Sequence, residues 1–408
     1  MDPDDYRKRT RFVIQLGRAL HSCGASSHRI EKHLGNVSRM VGLQGHFLFT
    51  PTGFTCAFWQ EDEVDQQIHI ERVEPGEMNL GRLWMIDTLI ESIHTGKTSL
   101  EEGMDQLPHL AAAAPLYSRW MQGLSWIITG GAFAALLSNH LYDVWISLAL
   151  CAMTFLLHYL IQRRERMAAL LKILAPFLSG VVAQIIASRG IEVNVPFVIL
   201  SSILVFIPGL SLTVAMSEIS ARHLVSGSSR LVDAIMNLLL LLFGAIMGVS
   251  LASLLWPSTA PIIASGLLPN YKNIPAVLLL AFSLNIAFDI PMRKCIWGII
   301  ACAIAFFTAK FCGAIFGLIV GMFFGALAVG LYSNLFARIA RAPSSVLSTQ
   351  GIILLVPGST TYMLLNEWVS GTQVIAGSQS SSQALMMFVS LVAGLLFANA
   401  LLPPGKSL

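Results

Sequence analysis

Two stretches set a helix breaker and hydroxyl side chains inside strongly apolar sequence: FIPGLSLTVAMSE, Phe206 to Glu218, and VPGSTTYMLLNE, Val356 to Glu367. Proline has no N–H to give to a helix and its ring crowds the preceding turn, whereas glycine tolerates an unwound backbone. Peptide groups freed in this way are intolerable against lipid, so such breaks belong where protein or a watery cavity satisfies them. Ser211 and Thr213 in one stretch, and Ser359, Thr360 and Thr361 in the other, can bond the freed backbone or face a polar solute. Where each helix resumes, its open N–H groups favour an anion such as a carboxylate. The chemistry expected of Pro208, Gly209, Ser211, Thr213, Pro357, Gly358, Ser359 and Thr360 is therefore the binding of a small polar solute. For either break taken alone, a packing kink with its hydroxyls bonded back into the helix is the plainer alternative.

Acidic and amide side chains near the same segments offer a proton route. Asp233 and Asn237 are spaced i,i+4 at the start of one apolar run, and Asn285 and Asp289 are spaced i,i+4 at the end of another. Each pair puts polar groups on one helix face, with the Asn a turn deeper, where burial raises an Asp pKa and permits protonation. An interfacial salt bridge, Asp289 with Arg293 for instance, is the alternative. Glu218 and Glu367 each follow a Pro-Gly by about ten residues, about 15 Å of helix, which sets them near an interface as gate or helix-end residues. His158 reads as an inter-helix hydrogen-bonding residue. His28 and His33 are five apart on one helix and diverge, so with Glu31 they read as part of a surface helix rather than a metal site. No GxSxG, HExxH, P-loop or dinucleotide fingerprint is present, and no metal or cofactor is expected.

The elements that must hold these residues follow from composition. The chain has 408 residues, 55% hydrophobic and 12% charged, too apolar for a soluble globular protein. Charge is uneven: residues 1–119 carry 12 Lys+Arg against 16 Asp+Glu, and the rest 14 against 7. The net charge of +3 and the absence of a basic cluster with interleaved aromatics argue against nucleic acid. The six cysteines show no CxxC pair, and MDPDDYRKRTRF lacks the apolar core of a signal peptide. Residues 1–112 read as a cytoplasmic α+β domain: helices over Arg11–Ser22 and Ser27–Gly42, strands in HFLFTPTGFTCAFW around a Thr-Pro-Thr-Gly turn, another strand over Gln67–Val73, and a last helix behind a Thr98–Glu101 capping box. Beyond Ala111, apolar runs matched to a slab of about 30 Å fall near 123–140, 144–161, 170–188, 195–217, 232–255, 275–290, 294–309, 312–332, 350–366 and 384–402. Taking the N-terminus inside, ten Lys/Arg lie in or beside cytoplasmic connections (Arg163, Arg164, Arg166, Lys172, Arg222, Arg230, Arg293, Lys294, Arg338, Arg341) against three opposite (Arg189, Lys272, Lys310), which places both termini in the cytoplasm.

The two breaker stretches are copies. Pro208, Gly209 and Glu218 correspond to Pro357, Gly358 and Glu367 at an offset of 149, and with one extra residue Gly227-Ser228 pairs with Gly377-Ser378 and Gly244 with Gly394. A unit of five spans is odd, so its second copy enters the membrane from the opposite side. The result is an inverted-topology pair, residues 123–255 and 275–402, of the kind found in secondary transporters. The fold expected is a polytopic α-helical membrane protein of ten transmembrane helices, built as two inverted five-helix repeats with broken helices behind the α+β domain.

CGASSHRIEKHL, FTPTGFTCAF, Arg82-Leu83 after VEPGEMNLG, PGLSLTVAMSEISARHLVSGSSRLVDA and VPGSTTYMLL together give the chain a resemblance, over nearly its full length, to the threonine/serine exporter family of secondary transporters. In some members the two membrane halves are separate proteins; here they are fused. What the resemblance implies is export of threonine and serine across the bacterial inner membrane, driven by the proton gradient. Related split members are associated with succinate export, so a dicarboxylate is the alternative substrate. No Lys or Arg sits deep in a span near either Pro-Gly, which tilts the choice toward the neutral amino acid. The partners expected are that small solute, protons and the lipid bilayer, with self-association into a homo-oligomer left open. A rival from another class is a membrane-anchored enzyme working through His28 and Glu31, but an anchor needs neither an inverted repeat nor broken spans.

Overall fold

The computed structural model describes residues 2–59, 66–162, 165–257, 272–340, 343–355, 358–370 and 381–404. Pro357, the side chain of Glu367, the Gly377-Ser378 pair and the loop arginines Arg163, Arg164 and Arg341 lie outside the described residues.

The N-terminal unit contains α1 (Pro3–Ser22), α2 (Ser27–Met40), the strands β1 (Gln44–Thr50), β2 (Gly53–Trp59) and β3 (Gln67–Arg72), then α3 (Leu80–His94) and α4 (Leu100–Ala111). Helix α1 begins eight residues before the expected Arg11. Pro3 sits in its first turn, where a missing N–H costs nothing, and Asp4 and Asp5 complement the positive end. The strands form an antiparallel sheet in the order β1-β2-β3, with Phe49 opposite Phe54 and their rings stacked 4.8 Å apart. Thr50 Oγ1 donates to Gly53 O at 2.8 Å and closes the hairpin at the expected turn. Phe54, Cys56 and Phe58 alternate inward on β2, as one buried face requires. The capping box lies one residue later than expected: Ser99 caps the N–H of Glu102, whose carboxylate accepts from Ser99 N at 3.0 Å.

Among the described residues twelve helices follow: α5 (Arg119–Leu137), α6 (Leu141–Ile161), α7 (Glu165–Ser188), α8 (Val195–Ser202), α9 (Gly209–Ser220), α10 (Leu224–Leu255), α11 (Asn273–Ala287), α12 (Cys295–Phe316), α13 (Leu318–Ala340), α14 (Ser344–Leu355), α15 (Gly358–Ser370) and α16 (Ser381–Leu401). They fall on the ten expected apolar runs, with α8 plus α9 and α14 plus α15 each occupying one. Fewer than ten meet the length and polarity demanded of a full span. Among the described residues six helices do so, or seven if α8 and α9, bent by 59°, count as one span. The shortfall has local causes. Helix α11 has 15 residues, about 22 Å, because Asp289 turns the chain into the left-handed region (φ 57°) and Pro291 follows. Helix α12 runs past its expected end at 309 to a turn at Gly317 (φ 92°), so α13 starts at Leu318 instead of at 312 and Lys310 lies inside α12 rather than in a loop. Helix α10, with 32 residues, is about 48 Å long, longer than the hydrocarbon slab.

The packing of these helices repeats. Cys151 on α6 rests its Sγ 3.5 Å from Ser201 O on α8, and Cys302 on α12 rests its Sγ 3.4 Å from Gln350 O on α14. Gly244 on α10 lets the helix approach α7 so closely that an added Cβ would lie 2.3 Å from Ile173 O, and Gly394 on α16 meets Phe323 O on α13 at 2.5 Å. Every one of these partners is offset by 149 to 151 residues from its counterpart. The two sets join along α5 and α11, where Ser125 Oγ donates to Ser283 O and Thr129 Oγ1 bonds Ser283 Oγ, both at 2.8 Å.

The N-terminal unit is docked on the helices rather than tethered beside them. Its apolar core, built around Phe12, Leu16, Leu34, Phe49 and Phe58, continues into Ile290 and Val346 of the membrane half. Gly81 N donates to Phe288 O at 3.1 Å, Tyr117 Oη to Ile290 O at 2.5 Å, and Lys294 Nζ sits 3.4 Å over the Trp84 ring.

Candidate substrate site

Helix α8 stops at Ser202, one short 3-10 turn over Leu204–Phe206 follows, Ile207 is extended, and α9 restarts at Gly209 behind Pro208. The second interruption lies between α14, ending at Leu355, and α15, starting at Gly358; residues 356–357 lie outside the described residues. The two restarts touch. A Cβ built on Gly358 would stand 2.9 Å from the Cα of Gly209 and 3.1 Å from the Ile207 side chain, an approach that only paired glycines permit. Thr213, buried on α9, bonds back to Gly209 O at 3.3 Å, while Ser211, Ser359 and Thr360 are half-buried around the contact.

Within a turn of that contact lies a cavity of about 60 Å³. Thr213 and Ser217 of α9, Ser345 and Thr349 of α14, and Ser26 and Arg29 at the start of α2 give it polar walls; Leu210, Ile352 and Leu395 close the rest. The soluble unit thus forms the wall facing the breaks. It is held there by Glu218. That carboxylate, fully buried near the end of α9, accepts from Ser27 N at 2.8 Å and from Ser226 Oγ at 2.7 Å, with Arg230 Nε 3.3 Å away. A carboxylate on the first turn of α2 is where the helix dipole and its free N–H groups favour one. Beside it, Glu31 accepts from Phe49 N at 2.8 Å and faces His223 Nδ1 at 3.5 Å, and the His223 and His28 rings are 5.9 Å apart. Burial raises the Glu31 carboxyl pKa and pushes the His28 imidazole down to about 3, so His28 is neutral.

The expected proton-route residues are dispersed. Asp233 is exposed on α10, where it accepts from Asn237 Nδ2 at 3.1 Å, and Asn237 Oδ1 takes Lys172 Nζ at 2.6 Å. Asn285 is fully buried, its Oδ1 accepting from Gln350 Nε2 at 3.0 Å. Asp289 is tied to the soluble unit, accepting from Asn79 Nδ2 at 3.0 Å and Leu116 N at 3.2 Å; among the described residues it makes no ion pair with Arg293. Among the described residues no hydrogen bond joins the two Asp–Asn pairs to each other. The His158 ring is tilted 43° to that of Trp126 with centroids 5.1 Å apart, and its buried Nδ1 has no hydrogen-bond partner among the described residues. Helix α2 is not a surface helix: its first turns are pressed between the sheet and α9, which buries His33 and half-buries His28. Arg29, Ser345 and Gln350 escaped the sequence reading. Arg29 stood in view within CGASSHRIEKHL, but a helix whose polar end docks on another domain has the pattern of a solvated one.

Apolar helices interrupted at two touching glycines, with a polar cavity at the interruption, define a multi-span membrane protein of transporter type. A family profile described as "Putative threonine/serine exporter" (ThrE) matches residues 11–252, and one described as "Threonine/Serine exporter, ThrE" matches residues 273–401. The chain belongs to this ThrE family, with both parts in one polypeptide. The two matches divide between α10 and α11, where the packing begins to repeat. Among curated proteins the chain is similar to an uncharacterised protein of Schizosaccharomyces pombe, 25% identical over 374 residues, 86% of this chain and 48% of the relative. It is also similar to pheromone-regulated membrane protein 10 of Eremothecium gossypii, 24% identical over 370 residues (86% and 48%), and of Debaryomyces hansenii, 22% identical over 396 residues (93% and 38%). The chain therefore spans about half or less of the length of these relatives. No solved structure matches it.

Proposed function

We propose that this protein is a secondary transporter that exports threonine and serine, coupled to the proton gradient, by alternating access of two inverted five-helix halves across the bacterial inner membrane. The observation that carries the proposal is the contact of Gly209 with Gly358, because it brings the starts of α9 and α15 to one point beside a cavity. Unwound backbone inside apolar helices is costly unless it lines a path for a polar solute. Pro208, Gly209, Ser211, Thr213, Pro357, Gly358, Ser359 and Thr360 are the proposed contacts of that solute. The recurrence of α6–α8 and α7–α10 packing in α12–α14 and α13–α16 supports a duplicated unit, and its odd number of spans supports inversion. Glu218 and Asp289 take the gating role, since each holds the soluble unit over the breaks. Asn285 lies on a buried route inward, Asp233 and Asn237 on the outer face of α10, and Glu367 is the counterpart of Glu218.

The test is counterflow in liposomes containing the purified full-length protein. Labelled threonine and serine are expected to exchange faster than in protein-free liposomes, and an imposed pH gradient to drive net movement of threonine against the proton flow. Exchange of succinate in preference to both amino acids would assign the dicarboxylate instead. No exchange of any of the three would overturn the proposal.

A further inference from the structure

We propose that Arg29, carried by the soluble unit, is the carboxylate-binding residue of the transport cavity, which makes the N-terminal domain part of the substrate site and selects solutes with one carboxylate. This rests on the transporter reading above and goes further by naming the group recognised and the residue that recognises it.

Arg29 stands at the cavity between α2 and the paired breaks. Among the described residues no carboxylate forms an ion pair with it. The acids carried by or bonded to the start of α2 are already engaged: Glu218 by Ser27, Ser226 and Arg230, and Glu31 by Phe49 and His223. Burial lowers the Arg29 guanidinium pKa and no neighbouring charge offsets that cost. A second polar group in the same cavity is also unsatisfied. Ser345 Oγ, in a residue 3% exposed, has no hydrogen-bond partner among the described residues, and neither has His28 Nδ1 on the opposite wall. Buried polar atoms without partners are expensive, so their convergence on one cavity marks a place where something else supplies the partner. The volume of about 60 Å³ admits roughly four waters at about 15 Å³ each, or the head of a small amino acid.

The donor set specifies the ligand. A guanidinium fork pairs with a carboxylate through two parallel N–H···O bonds. The start of α2 adds positive potential, and the hydroxyl oxygens of Ser217 and Thr349 are acceptors available to an ammonium or hydroxyl. Among the described residues lining it, Arg29 is the one cation. A second carboxylate would be set among Leu210, Ile352 and Leu395, so a dicarboxylate is disfavoured. The missing cation near the breaks, which inspection of the spans alone cannot supply, comes from the other domain.

Equilibrium binding of labelled threonine to the detergent-solubilised full-length protein, alongside counterflow in liposomes, tests this. The expected result is that Arg29→Ala weakens threonine and serine binding at least about tenfold, as loss of a charged hydrogen-bonded pair does, and that Arg29→Lys is intermediate. Threonine amide, which lacks the carboxylate, should bind the wild type at least about tenfold more weakly than threonine and bind the wild type and Arg29→Ala alike. Unchanged threonine binding by Arg29→Ala overturns the proposal, and so does an equal loss for threonine and its amide, the signature of a merely structural arginine. Should Arg29→Ala not fold, the wild-type preference for threonine over threonine amide and the Arg29→Lys variant decide the matter. Binding that depends on Arg29 without counterflow leaves the site standing and removes the exporter reading; counterflow indifferent to Arg29 does the reverse. A wild type that binds none of threonine, serine or succinate removes the site, its cavity then holding water alone.

Discussion

His28 shows how a single side chain couples the docked soluble unit to pH. Its imidazole is held neutral by burial, with Arg29, Lys32 and His223 adding repulsion to a proton there, and its pKa falls from an ordinary 6.5 to about 3. A histidine whose folded pKa is depressed stabilises the native state fully above 6.5 and loses that contribution as pH falls from 6.5 toward 3, because the unfolded chain takes up the proton first. The slope is about 1.4 kcal/mol per pH unit inside that window. The unfolding free energy of the wild type should therefore fall between pH 6.5 and 5 more steeply than that of His28→Asn; equal slopes in a denaturant titration would show that His28 does not carry it. At this scale the sequence exposed the breaker residues and their hydroxyls by type and spacing alone. It could not expose Arg29 or Ser345, because their role depends on which domain faces which, and nothing in a local pattern of polar helix ends distinguishes docking from solvation.

Each break owes its existence to a short list of residues, and the elements around it were mostly readable for that reason. Pro208 and Gly209 end one apolar run and start α9, Gly358 starts α15, and the hairpin turn at Pro51 and Thr52 follows from turn chemistry. The element ends that differed did so where tertiary contacts decide: α11 stops at the left-handed Asp289, whose carboxylate is taken by Asn79 and Leu116, and α12 continues through Lys310. The crossing of α9 and α15 makes the sharpest demand. Any side chain at Gly358 drives into the backbone of Gly209, and overpacking of that kind costs about 1–3 kcal/mol. Gly358→Val should lower the unfolding free energy by that amount and abolish counterflow, whereas Gly35→Ala, which meets open space on α2, should leave transport unchanged. Counterflow at the wild-type rate in Gly358→Val would separate the crossing from the pathway.

Over the whole molecule, the N-terminal unit sits against two sets of helices whose packing recurs and lines the cavity beside the starts of α9 and α15. Its grip combines apolar contacts at Ile290 and Val346 with polar ones: a buried Glu218 on the first turn of α2, Asp289 on Asn79, the Gly81 N–H on Phe288 O and, in the connection after α4, the Tyr117 hydroxyl on Ile290 O. Composition and charge separated a charged N-terminal part from an apolar remainder, and paired motifs pointed to the recurring packing of the helices. The docking was not visible, because its apolar part consists of Ile290 and Val346, which in sequence belong to the helices.

The most direct measurement of the central claim, that solute passes where the two breaks meet, is thiol accessibility at Thr213, buried on α9 between the crossing and the cavity. In a Thr213→Cys protein whose six native cysteines are replaced, reconstituted in liposomes and active in counterflow, a membrane-impermeant thiol reagent should react, and saturating threonine should slow that reaction at least about tenfold, as occlusion by a bound ligand does. Labelling that threonine leaves untouched in a protein that still exchanges threonine would contradict the account, since the solute would then be taking another path.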